Sequence, residues 1–272
     1  MKDLLQLTIA ASIEAGKAVL NVYRLSSFDV EYKDDRTPLT QADRASNDVI
    51  SKHLSKTAIP MLSEEDSRTH DYATRKEWEK CWIVDPLDGT KEFIKRNGEF
   101  TVNIALAEKG RPVLGVIYTP VQDVLHFAAE GIGSFRLDKA SEIKSPEDYF
   151  SLAKKLPLQK LPGIFTIVGS RSHASPETEA YVEQQKKKYG KVDFIAAGSS
   201  LKFCLVAEGK AQVYPRFAPT MEWDTAAGQV IVEQAGGSFV EWPSLNQFSY
   251  NREELRNNWF LVEAGKSDTI SA

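Results

Sequence analysis

The run Cys81-Trp82-Ile83-Val84-Asp85-Pro86-Leu87-Asp88-Gly89-Thr90-Lys91-Glu92-Phe93-Ile94 constrains the fold of this chain more than any other stretch. Four apolar residues open it, and their Ile and Val content predicts a short buried strand over 81–84. Proline fixes φ and cannot continue a central strand, so a turn is expected at Asp85-Pro86. Asp88-Gly89-Thr90 then reads as a helix start, with Asp88 as N-cap and the first-turn N–H groups free. Two carboxylates, the carbonyl between them and an anion-binding helix end are thereby gathered at one strand-to-helix corner. A hard cation such as Mg²⁺ takes oxygen ligands and usually shares its shell with a substrate phosphate. An acidic surface turn would carry the same letters, so the neighbouring motifs matter. Ser63-Glu64-Glu65-Asp66 follows the apolar Ile59-Pro60-Met61-Leu62, and Trp223-Asp224-Thr225-Ala226-Ala227-Gly228 sets one more Asp at the front of a helical pattern.

A chain of 272 residues can bury a large core as one big domain or two intimate ones. Its 42% hydrophobic and 26% charged content is ordinary for a soluble globular protein. A net charge of −4 leaves no basic footprint for a nucleic acid polymer, so a phosphorylated partner must be met by local charge or by metal ions. With only Cys81 and Cys204 there is no disulfide framework, which fits a reducing cytoplasm. Leu4, Leu7, Ala11, Ala15 and Ala18 follow helical spacing and run on through Glu14 and Lys17. We read an amphipathic helix packed on the domain, not a secretory leader.

That helix is expected to end near Val22-Tyr23-Arg24, with a strand over 28–33. A second helix starts at Thr40-Gln41-Ala42-Asp43, with Thr40 as its cap, and runs through Ile50 and Leu54. Asp43, in the first turn, reads by pattern as an exposed acid favoured by the helix dipole. Residues 70–80 read as a solvated loop. A meander over 100–107, 112–118 and 124–129 is expected to end at Gly131 and Gly133. Asn103 and Arg136 carry no assignment. Residues 137–162, broken by prolines, read as a linker or inserted hairpin between halves. Strands over 165–168, 192–196, 212–214, 238–241 and 259–263 alternate with helices over 176–189, 201–206 and 224–234, which argues an α/β layer. Lys186-Lys187-Lys188 reads as a solvated helix end.

The motifs at 63–66, 85–90 and 223–228 together resemble the lithium-sensitive, magnesium-dependent phosphatase superfamily that includes inositol monophosphatase. The run from Asp85 to Ile94 is similar, more narrowly, to the bacterial 3'(2'),5'-bisphosphate nucleotidases, because Lys91-Glu92 stands where inositol monophosphatases usually carry Thr-Asn. Arg96-Asn97-Gly98-Glu99-Phe100-Thr101-Val102-Asn103, Ser170-Arg171-Ser172-His173, Gly198-Ser199-Ser200-Leu201-Lys202-Phe203-Cys204 and Tyr214-Pro215-Arg216 carry further matches. The resemblance covers nearly the whole chain, most thinly over 136–162.

It implies a five-layered α-β-α-β-α sandwich of the sugar-phosphatase type, with halves of 1–155 and 156–272. It implies two or three Mg²⁺ ions held by Asp85 as the bridging carboxylate, Glu64 and the Leu87 carbonyl on one side, and Asp88 and Asp224 on the other. Thr90 with Asp43 would activate the attacking water, since a threonine alone is a poor base. Gly89 and Thr90 would cradle phosphate oxygens. Substrate contacts are expected from these residues and from Ser170, His173, Gly198 and Lys202, with Arg171 either joining them or pairing across the domain junction. Glu65 is expected to orient Glu64, and Asp66 to face solvent. The implied activity is removal of the 3'-phosphate from 3'-phosphoadenosine 5'-phosphate, with the sulfated analogue as a second substrate, in sulfur assimilation. The partner is then a small nucleotide, and the chain a monomer or homodimer in the cytoplasm; peripheral association with the inner membrane face stays open. An inositol or fructose phosphate phosphatase is disfavoured by Lys91-Glu92-Phe93 and by residues 198–202. A catalytically silent nucleotide-binding module is disfavoured by the complete acidic set.

Overall fold

The computed structural model describes residues 1–26, 30–32, 38–67, 69–170 and 175–265. Helix α1 (Lys2–Tyr23) buries Leu5, Ile9, Ala11, Ala15 and Val19 along one stripe, the amphipathic helix expected. A small antiparallel pair, β1 (Val30–Tyr32) and β2 (Pro38–Thr40), leads into α2 (Gln41–Leu54), which Thr40 caps by accepting from the Ala42 N–H. Then come β3 (Met61–Ser63), α3 (Tyr72–Arg75), β4 (Lys80–Asp88) and α4 (Thr90–Ile94). The meander is β5 (Thr101–Glu108), β6 (Arg111–Thr119), β7 (Val124–Ala129) and β8 (Gly133–Asp138), followed by α5 (Asp148–Leu152) and β9 (Lys154–Lys155). These build a seven-stranded sheet in the order β3-β4-β5-β6-β7-β8-β9, antiparallel except for β3 beside β4.

The remainder comprises β10 (Phe165–Ser170), α6 (Pro176–Tyr189), β11 (Val192–Ala197), α7 (Leu201–Ala207), β12 (Val213–Arg216), α8 (Glu222–Gln234), β13 (Ser238–Glu241) and β14 (Phe260–Glu263). Its five strands order as β11-β10-β12-β14-β13, with β10 parallel to both β11 and β12.

Three expectations change here. Gly131 and Gly133 do not end the meander; they make the turn into β8, and residues 137–162 add α5 and edge strand β9 to the same sheet. The 70–80 stretch is no plain solvated loop, because α3 forms in it and Arg75 is buried, donating to Asn251 and to the Arg252 carbonyl. And β4 continues through Asp85-Pro86 to Asp88, so the helix N-cap is Gly89, at φ 91°, instead of Asp88. That backbone conformation suits glycine and strains other residues.

Alternation along the strands makes the layers. Trp82, Val84, Ile104, Leu106 and Phe127 face α1 and α2, while Cys81, Ile83, Ala105, Ala107 and Ala128 face α7 and α8. The second set is small, so α8 lies close on the sheet: a Cβ on Gly115 would sit 2.5 Å from the Ala227 carbonyl oxygen. The other side of α7 and α8 meets the five-stranded sheet, and α6 covers its far face over Ile167, Val213 and Leu261. The order is α1/α2, sheet, α7/α8, sheet, α6, the five-layered sandwich. No helix among the described residues is long and apolar enough to cross a membrane.

Candidate active site

Regular pairing of β4 with β5 sets Asp85 opposite Asn103, but the next pair is Asp88 with Thr101. Three steps on one strand against two on the other mark a bulge of one extra residue. In a plain strand, residues three apart point to opposite faces. The bulge cancels that parity and turns Asp85 and Asp88 to the same side, toward α8. It also explains why Pro86 is tolerated inside a strand.

Asp224 arrives from α8, whose N-terminal end is tied down by the fully buried Glu222. That carboxylate accepts from the Asn251 N–H at 2.6 Å and from the Arg252 N–H and Nε at 3.1 Å. Asp224 Oδ2 accepts from the Met221 N–H at 2.8 Å, which fixes its rotamer. Ligand oxygens of Asp85, Asp88 and Asp224 then lie within 4.8 Å of one another. Glu64 lines the same cleft, positioned by its N–H to the Val84 carbonyl at 3.0 Å. Burial, with Glu64, Asp88 and Asp224 beside it, holds the Asp85 carboxyl well above the usual carboxylate range. Burial and Asp88 push Asp224 up to about 8 against the stabilising Met221 N–H. A partly buried set of carboxylates, with Asp85 and Asp224 both raised by burial and like charge, offers only oxygen donors and fits a hard divalent cation.

Helix α2 organises the other wall. Asp43 is buried, not exposed: Oδ2 accepts from the Thr40 N–H at 2.7 Å and the Thr40 hydroxyl at 2.6 Å. Its Oδ1 meets the Thr90 hydroxyl at 3.3 Å, a distance that hydroxyl also keeps from the Leu87 carbonyl. Ser46 donates to the Pro86 carbonyl at 2.7 Å, holding the bulge. Asn47 donates to Asp66 Oδ2 at 2.9 Å and accepts from Ser63 at 2.7 Å, so exposed Asp66 keeps one oxygen on the protein.

The opposite wall is the carboxyl edge of the parallel strands, where open α/β sheets bind ligands. Ser170 ends β10, Gly198, Ser199 and Ser200 follow β11, and Arg216 ends β12; all line the cleft, whose volume is about 320 Å³. Lys202 lines it too, but it is only 5% exposed. Its amino group donates to the Ser199 carbonyl, lies 3.4 Å from that of Ala197 and sits over the Tyr214 ring. Burial draws the Lys202 ammonium down to about 8, with Asp88 holding it up and Arg216 adding to the fall. Lys202 is therefore also the strut of its own loop. Arg171 and His173 lie outside the described residues. Sequence reading assigned no role to Arg216, Tyr214, Ser200 or Asn103 at this cleft.

Fold and site together define a layered α/β protein whose acid cluster can hold a metal ion in a cleft between two sheets. The inositol monophosphatase family model matches residues 1–261. The 3'(2'),5'-bisphosphate nucleotidase CysQ of Salmonella typhimurium is 44% identical over 252 residues, spanning 91% of this chain and 94% of the relative. The crystal structure of CysQ from Bacteroides thetaiotaomicron, a bacterial member of the inositol monophosphatase family, is 47% identical, with a TM-score of 0.91 over 98% of this chain and 99% of that one. Extragenic suppressor protein suhB from Bartonella henselae shares the fold, with a TM-score of 0.73 at 24% identity over 97% and 94% of the two chains. The chain belongs to the inositol monophosphatase family.

Proposed function

We propose that this chain is a phosphatase of bisphosphate nucleotides, removing the 3'-phosphate of 3'-phosphoadenosine 5'-phosphate to give AMP and phosphate. The sulfated analogue is a second substrate of the same shape, which places the reaction in sulfur assimilation. The observation that carries this is the meeting, in one cleft, of the acid triad with the carboxyl-edge loops of the five-stranded sheet. One wall suits a phosphoryl group and its cations; the other, with Arg216 and Lys202, suits the rest of a charged nucleotide. A relative named as a 3'(2'),5'-bisphosphate nucleotidase, 44% identical over 91% of this chain, supports the same reading.

Asp85, Asp88, Asp224, Glu64 and the Leu87 carbonyl are the residues we assign to Mg²⁺, two or three ions per site. When bound, Mg²⁺ supplies charge neutralisation on the phosphoryl oxygens and a water of lowered pKa. The Thr90 hydroxyl orients the attacking water, and Asp43, 3.3 Å behind it, takes the proton that Thr90 passes on. Gly89 and Thr90 hold the phosphate. Ser170, Gly198, His173 and Lys202 hold the nucleotide. This reading divides labour between residues 1–155, which carry most cation ligands, and 156–272, which carry recognition and Asp224. An inositol or fructose phosphate substrate would leave the basic wall unused.

The regiochemistry tests it. Phosphorus NMR of adenosine 3',5'-bisphosphate turned over in Mg²⁺ should show loss of the 3'-phosphate resonance with the 5'-phosphate retained. Release of the 5'-phosphate, or no turnover, would contradict the proposal.

A further inference from the structure

Ser200 occupies the N-cap position of α7, where a serine hydroxyl ordinarily accepts from the second or third N–H of its helix. This one makes no such bond. Its hydroxyl is turned across the cleft floor instead, donating to Asp88 Oδ2 at 2.7 Å. It also lies 3.1 Å from the main-chain oxygen of Asp224. A hydroxyl has one proton, and the shorter contact takes it. Asn103, from β5, donates through Nδ2 to the Ser200 oxygen at 2.9 Å and lies 3.4 Å from the same Asp88 oxygen. The Ser200 proton is committed to Asp88 Oδ2, so both oxygens face Asn103 as acceptors and the amide presents its NH₂ here. The consequence is that Asn103 Oδ1 is left buried with no partner among the described residues. An unpaired buried carbonyl is costly, and a purely structural asparagine would avoid it.

Two local preferences, a helix cap and a satisfied amide, are thus given up for one carboxylate. The loop that brings Ser200 there is itself fixed on the neighbouring sheet. The Gly198 N–H donates to Glu99 at 2.9 Å, Ser199 meets Thr101 at 3.3 Å, and Ser199 holds a φ of 40°.

We propose that Ser200 and Asn103 are positioning residues for Asp88, locking the orientation in which its carboxylate shares a cation with Asp224. The proposal rests on the cation reading of the acid triad. It also joins the substrate-side loop at 198–200 to the metal side of the cleft through one hydroxyl.

Titration of the full-length protein with Mn²⁺, followed by the electron paramagnetic resonance of free ion, separates the outcomes. Ser200→Ala and Asn103→Ala should each weaken Mn²⁺ binding roughly ten- to a hundredfold, the usual loss when a partner behind a metal ligand is removed. Ser200→Thr, which keeps the hydroxyl, should restore most of the affinity. The Mg²⁺ concentration for half-maximal phosphate release should move by the same factors. A general structural role would lower the melting temperature of all three variants and leave Mn²⁺ affinity in place, and that result overturns the proposal. Should Ser200→Ala fail to fold, Asn103→Ala carries the same test. If the wild-type chain shows no saturable Mn²⁺ binding, the cation reading itself fails and takes this one with it. Tight wild-type binding with unchanged variants sinks only the positioning role.

Discussion

Asp43 divides its two oxygens between a helix cap and the Thr90 hydroxyl. Oδ2 closes the capping box of α2 and leaves Oδ1 aimed at Thr90. If the two residues form one water-activating unit, Thr90→Ala and Asp43→Asn should each lower kcat by about a hundred- to ten-thousandfold. The double variant should fall little further, and KM should change little, as measured by phosphate release at saturating Mg²⁺. Additive losses would separate the pair and return Asp43 to a capping role alone. The sequence pattern by itself read Asp43 as an exposed helix-end acid; only the resemblance paired it with Thr90, because burial of a side chain by β4 and α4 is not written in the local spacing. Asn103 and Ser200 were illegible for a related reason. Ser200 meets Asp88 across 112 residues of chain, and Asn103 meets Ser200 across 97, so no local pattern couples them. Lys202 was legible as a residue of the cleft but not as a strut, since its carbonyl partners depend on how the loop folds back.

Elements were legible where periodicity was long and failed where a single residue changes its meaning. Helices α1, α2, α6 and α8 and the strands of the meander stood out from apolar spacing. The bulge in β4 did not, because Asp-Pro reads as a turn in sequence and becomes a bulge only when β5 pairs beyond it. Strand β8 hid behind Gly131 and Gly133, which signal an end and here make a hairpin. Small residues on the α8 side of the sheet, by contrast, state the layer spacing directly. A Cβ at Gly115 would meet the Ala227 carbonyl oxygen at 2.5 Å and its Cα at 2.9 Å, both main-chain atoms that cannot rotate away. Gly115→Ala should therefore destabilise the fold by about 1–3 kcal/mol in denaturant titrations. It should also lower turnover, because Asp224 moves with α8. An alanine variant as stable and active as wild type would show that the helix is free to shift.

At the scale of the molecule the seven-stranded sheet and α7 are joined by a buried ionic cluster away from the cleft. Glu208 lies just past α7, with Oε1 accepting from His126 of β7 at 2.8 Å and from Arg136 of β8 at 2.8 Å, while Lys210 reaches Oε2 at 2.6 Å. Burial alone would raise the Glu208 carboxyl, but His126, Lys210 and Arg136 outweigh it and hold it at about 2. A carboxyl depressed in the folded state stabilises above its ordinary value of 4.5, and that contribution is lost as pH falls toward 2. Glu208→Gln should cost about 3 kcal/mol near neutral pH, the scale of breaking a buried pair. Thermal melts of variant and wild type should converge as pH is lowered through that window. A gap that stays constant would mean the cluster acts by packing and not by charge.

The account as a whole stands on the acid triad acting on a bisphosphate nucleotide, and one comparison reaches it most directly. Phosphate release should be measured in Mg²⁺ from adenosine 3',5'-bisphosphate, inositol monophosphate and fructose bisphosphate, with wild type and with Asp85→Asn. On the proposed division of the cleft, the wild-type kcat/KM for the nucleotide should exceed the other two by about two orders of magnitude or more, the wall lined by Arg216 and Lys202 being assigned to the nucleotide alone. Asp85→Asn, folded by circular dichroism, should release no measurable phosphate from any of them. Equal or faster release from inositol monophosphate, or an active Asp85→Asn, would contradict the account.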